Sequence, residues 1–290
     1  MGTTSTTPYR SGSDDPSATL PDATEPEVDV GGNALQTLIT LRGGECTALD
    51  CRMLITGCGR SGTHFLAEQL VGAGIPISHE TIGEAGTVSW VHAAPFREEF
   101  RELEEWFSDK QSVDLRSSPD FQFFPVFHLV RHPVAALTSL TECFCGCGSM
   151  SCGGWADPPS WKWAGKSVQF SDRYCSRTIN NEVCASHHHT NGRLIRSMEY
   201  WLEWNQLAES QAHYRVQLET VNLSEVIKAV PQLDGKEAAS ALKQEPFSSK
   251  RVRRRAVKPV SWESMRSADA ALEERVWRLA QSYGYRRESP

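Results

Sequence analysis

Residues 52 to 74, RMLITGCGRSGTHFLAEQLVGAG, constrain the fold of this chain more than any other stretch. RMLITG is a short apolar run closed by glycine, the pattern of a buried strand. Downstream, Phe65, Leu66, Leu70 and Val71 recur at helical spacing, and Gly72 and Gly74 supply a stop. A buried strand that turns through three glycines straight into a helix belongs to a parallel sheet covered by helices. The turn then points backbone N–H groups and a helix N-terminus at whatever lies above the sheet, which is an anion site. Gly57, Gly59 and Gly62 let the backbone curl closely, Ser61 and Thr63 add hydroxyl donors, and Arg60 adds a fixed positive charge.

The rest of the chain agrees with this class. IPIS (75–78) suits a second short strand, FFPVFHLV (123–130) a buried one, and YRVQLE (214–219) another. Helices are expected over 97–109, over 192–213 and over 268–285, the last stopped by Gly284, and another is expected to open at Pro133. The segment ALQTLITL (34–41) fits a short helix or an edge strand. Strands alternating with helices predict an α/β fold with a parallel β-sheet flanked by helices. Residues 1–32 are rich in Ser, Thr, Pro, Asp and Gly and are expected to form a disordered tail, leaving 33–290 as the folded domain. At 290 residues with 39% hydrophobic content, the chain can build one large core. A net charge of −6 argues against nucleic acid as a partner, and no apolar run approaches the ~20 residues of a membrane span. The acidic, polar N-terminus lacks the pattern of a signal peptide, so a soluble cytoplasmic protein with mostly free thiols is expected.

What the loop omits is as informative as what it contains. An ATP- or GTP-binding loop has the form G-x-x-x-x-G-K-[ST]. Here Gly57 and Gly62 keep the spacing, but Thr63 and His64 follow where lysine and a hydroxyl residue are required. The strand VFHLV ends in Arg131 rather than a metal-binding Asp. The phosphate cradle is kept without the magnesium-triphosphate machinery. A P-loop nucleotide or small-molecule kinase is the disfavoured alternative, and a non-catalytic nucleotide-binding interaction protein is a second one.

GRSGTHFL resembles the 5′-phosphosulfate loop of the sulfotransferases that use 3′-phosphoadenosine 5′-phosphosulfate (PAPS). FHLVRHPVAALTS is similar to that family's second signature, an apolar strand, then Arg-x-Pro, then Ser eight residues after the Arg. GIPISHETIGEAGTVSW (74–90), and YWLEWN followed by YRVQLET, extend the resemblance from residue 51 to about 223. It implies a P-loop sulfotransferase fold that binds PAPS through Gly59, Arg60, Ser61, Gly62, Thr63 and His64, with Arg131 and Ser139 on the 3′-phosphate. Phe65 stands where the family often stacks adenine, although a core-packed helix residue fits equally.

The implied reaction is transfer of a sulfuryl group to a hydroxyl or amine of a small-molecule or saccharide acceptor, without an obligatory metal. Charge that builds on the leaving phosphate needs a donor, for which Arg60 is the candidate. Glu80 is the favoured general base, with His79 and His92 as alternatives. Two clusters stay open. Cys143, Cys145, Cys147 and Cys152, in a Cys-rich insertion at about 143–190, suit free thiols, disulfides or zinc. KRVRRRAVK (250–258) suits a solvated basic face, a targeting patch or a phosphate clamp through Arg251 and Arg253.

Overall fold

The computed structural model describes residues 38–93, 110–143, 190–233 and 259–287, all within the unit Gln36–Pro290. The elements follow in chain order. They are β1 (Leu38–Thr40), β2 (Asp50–Thr56), α1 (Thr63–Gly72), β3 (Ile77–His79), β4 (Gly86–Val88), α2 (Lys110–Arg116), β5 (Phe121–Val130) and α3 (Pro133–Cys143). Then come α4 (Thr190–Gln211), β6 (Tyr214–Gln217), α5 (Leu223–Lys228), α6 (Trp262–Ala268) and α7 (Ala270–Ser282). The expected helix at 97–109, the tail 1–32, the Cys-rich stretch beyond Cys143, and Arg251 and Arg253 lie outside the described residues.

The six strands form one sheet in the order β1-β6-β5-β2-β4-β3. Every pair is parallel except the edge pair β1–β6, so the sheet is mixed rather than wholly parallel. The ambiguous segment at 34–41 supplies that antiparallel edge, with Leu38 opposite Val216. Opposite Arg52–Leu54, β5 carries one residue more than β2, with Pro125 inside the irregularity. Proline has no N–H for the ladder, which explains why pairing breaks there.

Period-two alternation divides the core. Met53 and Ile55 of β2 and Phe127 and Leu129 of β5 pack with Leu66, Ala67 and Leu70 of α1 and with Val226 and Ile227 of α5. On the other side, Val130 meets Ala136, Leu137 and Leu140 of α3, together with α4, α6 and α7. Helix α4 buries Leu194, Met198, Trp201, Asn205 and Ala208, a stripe at spacings of three and four. The expected C-terminal helix at 268–285 is α7, and a short helix not foreseen in the sequence, α6, precedes it. Asp269 stands between the two in extended conformation, and its carboxylate accepts from Leu272 N at 2.9 Å to begin α7.

This topology fixes where a site can form. Strands β2 and β5 are neighbours, yet α1 leaves β2 toward one face and α3 leaves β5 toward the other. Between them the strand order reverses, and the carboxyl ends of the two strands open a crevice. Among the described residues, no helix is long and apolar enough to cross a membrane.

Candidate functional site

The loop between β2 and α1 is shaped by close backbone approach. A Cβ on Gly57 would lie 2.1 Å from Leu129 O, so only glycine lets β2 leave the sheet beside β5. Gly62 caps α1 at φ +92, a left-handed conformation that favours glycine, and a Cβ there would meet Leu218 Cδ2 at 2.5 Å. No side chain caps this helix start and no acidic residue sits in its first turn. Its positive end therefore has the electrostatic character of an anion site. Helix α1 itself follows from Thr63, Leu66, Ala67 and Leu70, all buried at i, i+3, i+4 and i+7. Gly59 N donates to Tyr200 Oη at 3.3 Å and Ser61 N to Cys58 O at 3.0 Å, which ties the loop to α4 and to itself.

The two sequence signatures meet in the crevice. Arg60 holds a positive φ of 71° and its Nε–H donates to Ser139 Oγ at 2.8 Å, across to α3. Arg131, at the end of β5, donates from Nη1 to Arg60 O at 3.0 Å. Residues 71 and 79 positions apart thus hold one another at the switch point. Behind them, Glu219 at the end of β6 accepts from His132 N at 2.9 Å and from Tyr285 Oη at 2.9 Å, which fixes the turn that carries Arg131.

Two hydroxyls near the turn are buried. Ser61 Oγ in the loop and Thr56 Oγ1 at the end of β2 have no hydrogen-bond partner among the described residues. An unsatisfied buried hydroxyl is costly unless something else accepts from it. Within the loop, the uncapped α1 amides and the Ser61 hydroxyl are the donors that a phosphate-type oxygen would fit.

The expected base lies on the neighbouring strand pair. Glu80 follows β3 with φ 63, and its N donates to Val88 O at 3.3 Å. Its carboxyl Oε2 accepts from Ser89 Oγ at 2.6 Å, while Ser89 accepts from Val91 N and His92 N at 3.2 and 3.4 Å. Burial pushes the Glu80 carboxyl up to about 8, partly offset by Ser89 and by the Trp90 and Val91 amides. His79 Nε2 lies 3.2 Å from Thr63 Oγ1 and 3.3 Å from Glu80 Oε1. Desolvation first, then the neighbouring His64, hold it down at about 4.

His92 occupies a different place from the other two. Its ring is fully buried beside Phe123, and Nδ1 accepts from Arg116 Nη1 at 3.2 Å. Burial and the Arg116 charge lower it to about 3, so it is a neutral imidazole that backs the Glu80 backbone. His64 stands on the exposed side of α1 beside Glu68. Phe65 is half-buried against the α1–sheet core. Pro259 and Val260 follow the basic run, and Val260 N donates to Thr138 Oγ1 at 2.9 Å, one residue before Ser139.

Ser89, Tyr200 and Glu219 were not visible as site residues in the sequence. Their partners lie on other elements, and no local motif marks them. The side chains of Cys46 and Cys51 lie against one another with Cα atoms 6.2 Å apart, and Cys58 is buried within the loop. Comparison with protein families, with curated proteins and with solved structures returned no match to this chain.

Proposed function

We propose that the protein is a sulfotransferase of the P-loop type that takes PAPS as donor and a hydroxyl or amine compound as acceptor. What supports this most directly is the convergence of Arg60, Arg131 and Ser139 at the reversal between β2 and β5. In this reading the α1 amides, Ser61 and Thr63 hold the 5′ end of the nucleotide, and Arg131 and Ser139 hold its 3′-phosphate. PAPS when bound supplies an activated sulfuryl group carrying one negative charge.

Each residue has a physical task. Arg60, aimed into the crevice by its positive φ, places a permanent cation where leaving-group charge develops, a contribution that is largest in a water-poor site. The helix N-terminus and loop amides add fixed dipoles that need no reorganisation. Glu80 takes the proton from the acceptor. A carboxyl pushed up to about 8 is a stronger base than an ordinary one once it has given up the proton that it mostly holds at neutral pH. The loop has no lysine after Gly62, and β5 is followed by Arg131 rather than an Asp, which disfavours a magnesium-dependent kinase reading.

The test compares thermal unfolding with 3′-phosphoadenosine 5′-phosphate (PAP) and with magnesium-ATP. At a hundredfold excess over its dissociation constant, PAP should raise Tm by roughly 5–10 °C. Magnesium-ATP should do much less. Transfer of labelled sulfate from PAPS to members of an acceptor panel then separates an enzyme from a nucleotide-binding interaction protein. A chain that responds to magnesium-ATP and ignores PAP refutes the proposal.

A further inference from the structure

The phosphate loop and the acid–base pair touch at one atom. His79 Nε2 is within 3.2 Å of Thr63 Oγ1 on the loop and 3.3 Å of Glu80 Oε1. An imidazole nitrogen carries either one proton or one lone pair, so it serves one strong partner at a time. Here the Thr63 contact has hydrogen-bond geometry. Glu80 Oε1 is buried beside the same nitrogen with no hydrogen-bond partner among the described residues. Its twin oxygen is held by Ser89, and the left-handed backbone of Glu80 keeps the carboxyl in place. A buried oxygen aimed at a nitrogen engaged elsewhere is a poised contact rather than a packing accident.

We propose that Thr63 and His79 form a relay that couples anion loading of the phosphate loop to the proton on Glu80. The relay rests on the sulfotransferase reading only for the identity of that anion. An anion that accepts from the Thr63 hydroxyl withdraws it from His79 and frees the Nε2 lone pair. The proton on Glu80 Oε1 then passes to Nε2. One O–H bond breaks, one N–H bond forms, and no proton is exchanged with solvent. The result is a Glu80 carboxylate beside a His79 imidazolium, with the new positive charge next to the loaded anion. The base is therefore armed once the donor is seated.

Burial keeps the proton on Glu80 before the anion is loaded, since the carboxyl is raised to about 8 and His79 is lowered to about 4. Closing that gap takes the charge of the loaded anion beside the imidazole as well as the withdrawal of Thr63. The other titratable or charged groups facing the pair are His64 on α1, with its ring 5.0 Å from that of His79, and His92 behind Glu80, backed by Arg116 of α2. Repulsion from His64 opposes protonation of His79.

The experiment follows His79 by NMR in the full chain labelled at histidine. Without nucleotide, Thr63→Val should raise the His79 titration midpoint by roughly half to one pH unit, the effect of losing one hydrogen bond to the neutral ring. Thr63→Ser, which restores the hydroxyl, should return it to the wild-type value. At pH 7, PAP should turn His79 from neutral to imidazolium in the wild type and leave it neutral in Glu80→Gln, a variant that does not alter the loop. An unchanged midpoint in Thr63→Val overturns the relay, as does PAP that stabilises the protein while His79 stays neutral. Failure of PAP to bind counts against the sulfotransferase reading instead, and the Thr63→Val midpoint then decides the relay alone.

Discussion

Replacing Glu80 by glutamine keeps its size and polarity but removes the proton that burial makes hard to lose. In the folded chain the carboxyl holds that proton to about pH 8, against 4.5 in an unperturbed glutamate. Between those values the folded state binds one proton more than the unfolded state, so stability falls as pH rises through the window. The slope is about 1.4 kcal/mol per pH unit for a full proton. Over the two units from about pH 5.5 to 7.5 the wild type should lose about 2–3 kcal/mol relative to Glu80→Gln. His79 and His92 act in the opposite sense. Their lowered values make stability rise with pH, up to about pH 6.5, and both proteins contain them. The difference between the two proteins therefore isolates Glu80. Urea unfolding of both at a series of pH values measures it. A difference that stays flat to within about 0.5 kcal/mol would refute the claim that Glu80 is buried as a neutral acid. The same variant should lose turnover while still binding PAP.

Two further outcomes follow from the loop. Gly62→Ala places a methyl against Leu218 in a left-handed conformation, and should cost about 2–4 kcal/mol in chemical denaturation. A loss under about 1 kcal/mol would mean that the loop relaxes without strain. Arg60→Gln should reduce labelled sulfate transfer by about 10²–10³-fold with little change in fold, as judged by circular dichroism. Equal rates in the two proteins would remove Arg60 from the transition state.

The loop, its helix and the start of α3 were legible because their chemistry is local: glycines at sharp turns, an apolar run, a proline at a helix start. The relation between the two anchors was expected only through resemblance. The direct contact of Arg60 with Ser139 depends on the β2–β5 adjacency, which no short window contains. Strand β4 was missed because Gly86–Val88 is too short to show a period, and it is defined by pairing on both sides with β2 and β3. Tyr200 was read as part of a helix face, since nothing in α4 tells of a partner 141 residues away. Helix α6 was missed because its seven residues are too short to show a period, and Asp269 is a cap type consistent with the start of α7 just beyond it.

Asp269 has a mechanical meaning of its own. Its backbone N–H closes α6 on Met265 O, while its carboxylate opens α7 at Leu272 N, so no slack separates the two helices. At one end of this bent strut Val260 grips α3 next to Ser139. At the other, Tyr285 presses on Glu219 beneath the Arg131 turn. Chain lying far from the crevice in sequence thereby braces both of its walls, and a swivel at that one corner would be felt at each.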